Sequence, residues 1–135
     1  MLSAIDHMRP AAPAGSEKLL RPYCTGALGM AEIAKPPLLA ARGGCWFASG
    51  AVQLHVGIED DFRPARKAHP GIRVTGIDAF AARIADAGAA VIRDENLPGH
   101  RRFFSEDPVG NRLEFLEPVA EPGTEPEPAR QDAAA

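Results

Sequence analysis

Phe104-Ser105-Glu106-Asp107-Pro108-Val109-Gly110-Asn111-Arg112-Leu113-Glu114-Phe115 is the stretch that decides how this chain folds. Asp107 to Asn111 is turn chemistry: Pro presets φ, Gly supplies positive φ, and Asp and Asn bond to nearby backbone. Strands are expected on either side, at Arg101–Ser105 and Arg112–Leu116. In the second, Leu113 and Phe115 share one face, while Arg112 and Glu114 take the other. A carboxylate therefore stands on a strand, pointing away from the apolar side.

Working outward, the residues before this hairpin predict a strand at Ala68–Val74 and another around Ala90–Arg93. Between them lies a helix with Asp78 as N-cap, Phe80, Ile84 and Ala87 as its apolar stripe, and Gly88 as its end. The first half of the chain reads the same way. A strand begins near Ile5–Met8. A helix follows, with Ser16 as cap, Leu19, Leu20, Tyr23 and Ala27 at helical spacing, and Gly29 as stop. Pro22 inside that helix predicts a kink. Strands at Ala31–Ile33, Cys45–Ala48 and Val52–Ile58 complete the module. Gly29 and Gly88 are 59 residues apart, as are His55 and Glu114, and His7 and His69 are 62 apart. Two such short repeats close a core only by packing together. The expected fold is α+β, with two tandem βαβββ modules at about 2–58 and 67–118, joined by the charged linker Glu59–Arg66.

The chain has 135 residues, 45% hydrophobic and 24% charged, with a formal charge of −3. Residues 119–135 hold Glu121, Glu125, Glu127 and Asp132 against Arg130, which accounts for the whole excess, and they are expected to form a disordered acidic Pro/Ala-rich tail. Residues 1–118 carry 14 acids and 14 bases. No basic footprint for nucleic acid is present, no polybasic anchor, and no apolar run near the ~20 residues that span a bilayer. The N-terminus lacks the pattern of a signal peptide. Cys24 and Cys45 form no C-x-x-C and are expected as free thiols in a reducing cytoplasm.

Strand alternation also sorts the polar side chains. Within Val52–Ile58, His55 points away from the apolar face together with Gln53 and Gly57. Within Ala68–Val74, His69 and Arg73 project opposite to Ala68, Pro70, Ile72 and Val74. His7, His55, His69 and Glu114 thus fall at repeat-equivalent strand positions. Imidazoles with a carboxylate are a ligand inventory for a divalent metal, and two His plus one carboxylate is the logic of a non-heme iron site. Zn, Ni, Co, Mn and Fe are not distinguished. Pro70 and Gly71 set His69 at a strand start with altered aim, so His7, His55 and Glu114 form the core of the expected site. His100, beside Pro98-Gly99, reads as a loop surface residue. Arg63, Arg73, Arg101 and Arg102 are candidates for holding an anionic substrate, Arg73 first among them, because it shares a face with His69. Of Trp46, Phe47, Phe103 and Phe104, one of each adjacent pair faces the core and the other the cup or a partner, with a substrate wall as the alternative to core packing.

Over residues 2–118 the chain resembles the vicinal oxygen chelate superfamily, which unites glyoxalases, bleomycin resistance proteins and dioxygenases. The resemblance rests on Asp107-Pro108-Val109-Gly110-Asn111-Arg112-Leu113-Glu114-Phe115, with Ile5-Asp6-His7, Ala27-Leu28-Gly29-Met30 and Gln53-Leu54-His55-Val56 in the right order. It implies a half-open mixed-sheet barrel whose concave face binds a metal through His7, His55, His69 and Glu114. It implies Glu114 as the proton-handling residue; charge and strand alternation add Arg73, Arg102 and Phe104 as contacts for a small-molecule substrate. It further implies lyase, isomerase or dioxygenase chemistry in a homodimer. His55 departs from the carboxylate usual at that position in members resembling glyoxalase I, which removes one of two groups for proton transfer. The competing reading is a metal-free, antibiotic-sequestering binding protein.

Overall fold

The computed structural model describes residues 1–120, so the predicted tail lies, from residue 121 onward, outside the described residues. Module one comprises β1 (Ala11–Ala12), α1 (Glu17–Pro22), a π-helical segment (Tyr23–Ala27), β2 (Ala31–Ile33), α2 (Pro37–Ala40), β3 (Cys45–Ser49) and β4 (Val52–Ile58). Module two comprises β5 (Gly71–Arg73), α3 (Ile77–Asp86), β6 (Ile92–Asp94), β7 (His100–Glu106) and β8 (Arg112–Pro118). Each builds a four-stranded mixed sheet, ordered β1-β4-β3-β2 and β5-β8-β7-β6. The first strand of each module pairs in parallel with its last, and the other pairs are antiparallel. The expected α+β duplication is present, down to one hydrogen bond. His55 N donates to the Met8 carbonyl (2.8 Å), and its repeat-equivalent Glu114 N donates to the Pro70 carbonyl (3.0 Å).

Several elements differ from expectation for local reasons. The first strand was expected at Ile5–Met8; Met8 makes only an isolated bridge to Leu54, and regular pairing starts at Ala11. Pro10 lacks the N–H a ladder needs, although its carbonyl still accepts from Gly57 N at 3.0 Å. Pro22 does not simply kink its helix. It ends the α-helix, and the chain widens to i→i+5 bonding, with Leu28 N on the Tyr23 carbonyl at 3.1 Å. Asp78 is not the cap of α3. Gly76, at φ +73, holds that position, and Glu117 of β8 accepts from Gly76 N (2.7 Å) and Ile77 N (3.3 Å). Asp78 instead binds Arg93 and Arg101. The buried stripe of α3 is Ile77, Ala81 and Ile84, and Ala87 is exposed. His100 opens β7 instead of sitting in a loop.

One hydrophobic cluster spans both modules, with Leu20, Phe47, Leu54, Ile77, Phe103 and Phe115 among its members. Phe47, Phe103 and Phe115 are fully buried, and each contributes roughly 1.5–3 kcal/mol of transfer free energy. Asn111 fastens the modules together. Its Nδ2 donates to the Ala11 carbonyl (2.8 Å), and its Oδ1 accepts from Ala65 N (3.0 Å). Both cysteines are free and buried. Among the described residues, no helix is long and apolar enough to cross a membrane.

Candidate functional site

Leu54, Val56, Leu113 and Phe115 enter the core, so the alternate residues of β4 and β8 take the opposite faces. His55 and Glu114 are nevertheless only 5% and 8% exposed. Groups this buried need partners.

On module two, His69 Nε2 lies 2.9 Å from Glu114 Oε1. The other ring nitrogen, Nδ1, donates to the Lys67 carbonyl at 2.8 Å. Arg102 reaches Glu114 Oε2 (3.3 Å) and binds Asp94 through Nε (2.9 Å). The Asn96 backbone N–H, then Arg102, hold the Asp94 carboxyl below its ordinary range. The guanidinium carbons of Arg112 and Arg102 stand 4.1 and 5.0 Å from the Phe104 ring centroid, and the His69 ring meets that ring edge-on. The face around Glu114 therefore combines two guanidiniums with an aromatic ring, and Asp94 and Glu114 balance the two positive charges.

On module one, His55 is the middle layer of a stack. Trp46, its register partner on β3, lies 3.8 Å away and nearly parallel, and His7 lies 4.0 Å away on the other side. Asp6 Oδ1 accepts from His7 Nδ1 at 2.9 Å. Gln53 Oε1 accepts from His55 Nε2 at 2.9 Å, which leaves His55 Nδ1 buried without a partner, as is Trp46 Nε1. Burial first, then the nearby His7 and Arg9, push the His55 pKa down, so the ring is neutral near pH 7.

His69 and Glu114 bring together two donors of the kind a divalent ion takes. A neutral imidazole has one N–H, and at His69 the Lys67 carbonyl takes it. Nε2 then presents a lone pair to a carboxylate oxygen, and two acceptors in contact need a cation between them, either a proton or a metal. The Lys67 carbonyl on His69 and the Asp6 carboxylate on His7 fix the orientation of the two rings.

Sequence-predicted residues divide into two pairs, His69 with Glu114 and His7 with His55. Among the described residues, no three His, Cys, Asp or Glu side chains converge on one point. The trio of His7, His55 and Glu114 is not gathered within the chain, and His69, given an altered aim by its proline, is the residue against Glu114. Arg102 and Phe104 lie beside Glu114. Arg73 does not. It is exposed and borders a separate groove with Leu28, Val52 and Thr75. Arg101 is engaged by Asp78 on the surface, and Arg63 borders a cavity between the modules. Sequence reasoning missed Asp6, Asp94 and the part played by Arg112. Arg112 was detectable, because it shares the Glu114 face of β8.

Scans against protein-family models and curated proteins find no match. Solved structures do match. A glyoxalase family protein from Bacillus anthracis is 43% identical, with 88% of this chain and 98% of that chain covered and a TM-score of 0.85. The fosfomycin resistance protein FosX from Listeria monocytogenes is 14% identical, over 88% and 94% of the two chains, with a TM-score of 0.71. A FosX variant in complex with Mn(II) and 1S,2S-dihydroxypropylphosphonic acid is 13% identical over 85% and 90%, with a TM-score of 0.68. The FosX likenesses are likenesses of fold.

Proposed function

The chain belongs to the glyoxalase family of the vicinal oxygen chelate superfamily, and from that premise we propose that it is a metal-dependent enzyme for a small molecule bearing two neighbouring oxygens. His69 and Glu114 are the primary ligands, and the His7/His55 face supplies the remaining donors. A divalent ion (Zn, Ni, Co, Mn or Fe), when bound by these residues, would supply Lewis-acid stabilisation of the two oxygens, as isomerase, lyase or dioxygenase chemistry needs. The observation that carries the reading is the 2.9 Å approach of His69 Nε2 to Glu114 Oε1, with Nδ1 already committed to a carbonyl.

The chain's own residues do the rest. Glu114 handles the proton, with Arg102 holding its second oxygen in place. Arg102 and Arg112 favour an anionic substrate, and Phe104 between them is the wall against which it rests. Phosphonate binding by a fold-related FosX protein is in keeping with such a site.

A second copy completes the donor set. Each site combines His69 and Glu114 of one protomer with His7 of the partner subunit. His7 is exposed, and the segment before it carries Leu2 and Ile5 fully or largely exposed, an apolar arm that a homodimer would cover. Two buried free thiols suit a reducing, cytoplasmic setting.

Metal analysis of protein purified without chelator tests this reading. About one ion per chain is expected, with a rise in unfolding temperature when Mn(II), Ni(II) or Zn(II) is added, because saturation at 100 times Kd contributes about 2.7 kcal/mol. Less than about 0.2 ion per chain with no thermal gain would favour the metal-free sequestering protein instead.

A further inference from the structure

We propose that Asp94 is a positioning residue for Glu114: it occupies one edge of the Arg102 guanidinium and so keeps Arg102 from closing over both oxygens of the Glu114 carboxylate. The proposal rests on the metal-site reading and adds to it a residue from β6, two strands away from β8.

The register sets the three side chains on one face. Asp94 of β6 stands opposite Arg102 of β7, and Phe104, two residues along β7, stands opposite Glu114 of β8. Paired residues share a face and alternate residues return to it, so Asp94, Arg102 and Glu114 project from the same side of the sheet. Asp94 Oδ1 accepts from Arg102 Nε at 2.9 Å and lies 2.8 Å from Nη2, which engages one whole edge of the guanidinium. Nη1 is left toward Glu114, and it reaches Oε2 in a single contact of 3.3 Å. Oε1 stays with His69 at 2.9 Å.

Asp94 is itself held. The Asn96 backbone N–H donates to Oδ1 (2.9 Å) and Asn96 Nδ2 donates to Oδ2 (3.2 Å), an Asx turn at the end of β6. The side chains of Asp94, Arg102 and Glu114 are 22%, 17% and 11% exposed, so water and salt screen these charges weakly. Arg101, on the other face of β7, shows the contrast, because it pairs with Asp78 where both side chains are exposed.

The two carboxylates compete for one guanidinium. Arg and carboxylate favour the fork-to-fork pairing, with two parallel N–H···O bonds. Arg102 released by Asp94 would turn its free edge to Glu114 and take Oε1, the oxygen that faces His69, together with Oε2. Its positive charge would also lose one of its two carboxylates, next to residues that offer donors to a divalent cation. With Asp94 in place, two carboxylates share one guanidinium, and one oxygen of Glu114 remains open to a cation.

Two measurements on Asp94→Asn test this in the full chain, one without metal and one with it. In a crystal structure of the metal-free variant, Arg102 is expected to contact both oxygens of Glu114, and His69 Nε2 to lose its contact with Oε1. In equilibrium dialysis the affinity for Mn(II) is expected to fall about tenfold. In an Arg102→Met background the same change is expected to alter that affinity by less than about twofold, because the residue through which Asp94 acts is gone. A merely structural Asp94 would lower the affinity equally in both backgrounds. Asp94→Ala gives the same measurements should Asp94→Asn not fold. The proposal is overturned if Arg102 keeps its single contact with Glu114, if Asp94→Asn binds Mn(II) within about twofold of wild type, or if the fall survives in Arg102→Met. A wild-type chain that takes no Mn(II) removes the metal-site reading instead, and the metal-free structure still decides the role of Asp94.

Discussion

His69 Nε2 and Glu114 Oε1 meet at 2.9 Å although 45 residues separate them in the chain. The parallel register that puts Gly71 opposite Glu114 makes this contact, because it carries the residues just before β5 to the middle of β8. In Glu114→Gln one oxygen donor and the negative charge are lost while the volume is kept. Affinity for Mn(II) is expected to fall by at least about a hundredfold in equilibrium dialysis. A fall of less than about threefold would remove Glu114 from the ligand set.

Glu117 caps α3 from a different strand. Replacing it with Ala leaves the Gly76 and Ile77 N–H groups without their acceptor, at an expected cost of about 1 kcal/mol in urea unfolding. Asp78→Ala removes only an exposed ion pair with Arg93 and Arg101, and the urea midpoint is expected to move less. The reverse ranking would return the cap to Asp78.

Asn111 joins the linker, the turn and module one through Ala65 N, Asp107 Oδ2 and the Ala11 carbonyl. Asn111→Ala leaves buried groups unpaired and is expected to cost ~1–3 kcal/mol. Amide exchange should rise at Ala65 more than at residues inside α3. Uniform exchange across the chain would argue against a clamp.

Burial pushes the Cys24 thiol up to about 12, and it raises Cys45 as well. The folded chain therefore holds protons that the unfolded chain releases from about pH 8.5, and stability is full below that pH and is lost as pH climbs toward 12. In Cys24→Ala the fall in unfolding temperature between pH 8 and pH 10 should be shallower than in the natural chain. Thiol reagents at pH 8 should label neither cysteine until the protein unfolds. Rapid labelling of the folded chain would contradict this.

Local rules made much of the fold legible. The turn at Asp107–Asn111 forms as its Pro, Gly and Asn require, with Gly110 at φ +93. Period-two alternation assigned the faces of β4 and β8, and repeat spacing found the equivalence of His55 and Glu114. The α3 stripe was right at Phe80 and Ile84, which pack on the core, and wrong at Ala87, which looks as apolar as Ile77 and Ala81 in a string. Which of them is buried depends on the sheet beneath. The site was half legible for the same reason. Its residue types and strand positions follow from spacing, whereas the division into His69/Glu114 and His7/His55 follows from where the two sheets lie, which no window of sequence contains.

The central claim is a metal site shared between two copies, and mixing two inactive variants tests it most directly. His7→Ala and Glu114→Ala are each expected to bind no Mn(II) tightly. Unfolded together and refolded at equal amounts, they form mixed dimers in which one site has lost both ligands and the other retains both. Isothermal titration of the mixture is then expected to count about a quarter of the wild-type sites, at wild-type affinity. A mixture that binds no more Mn(II) than its separate components would contradict a shared site.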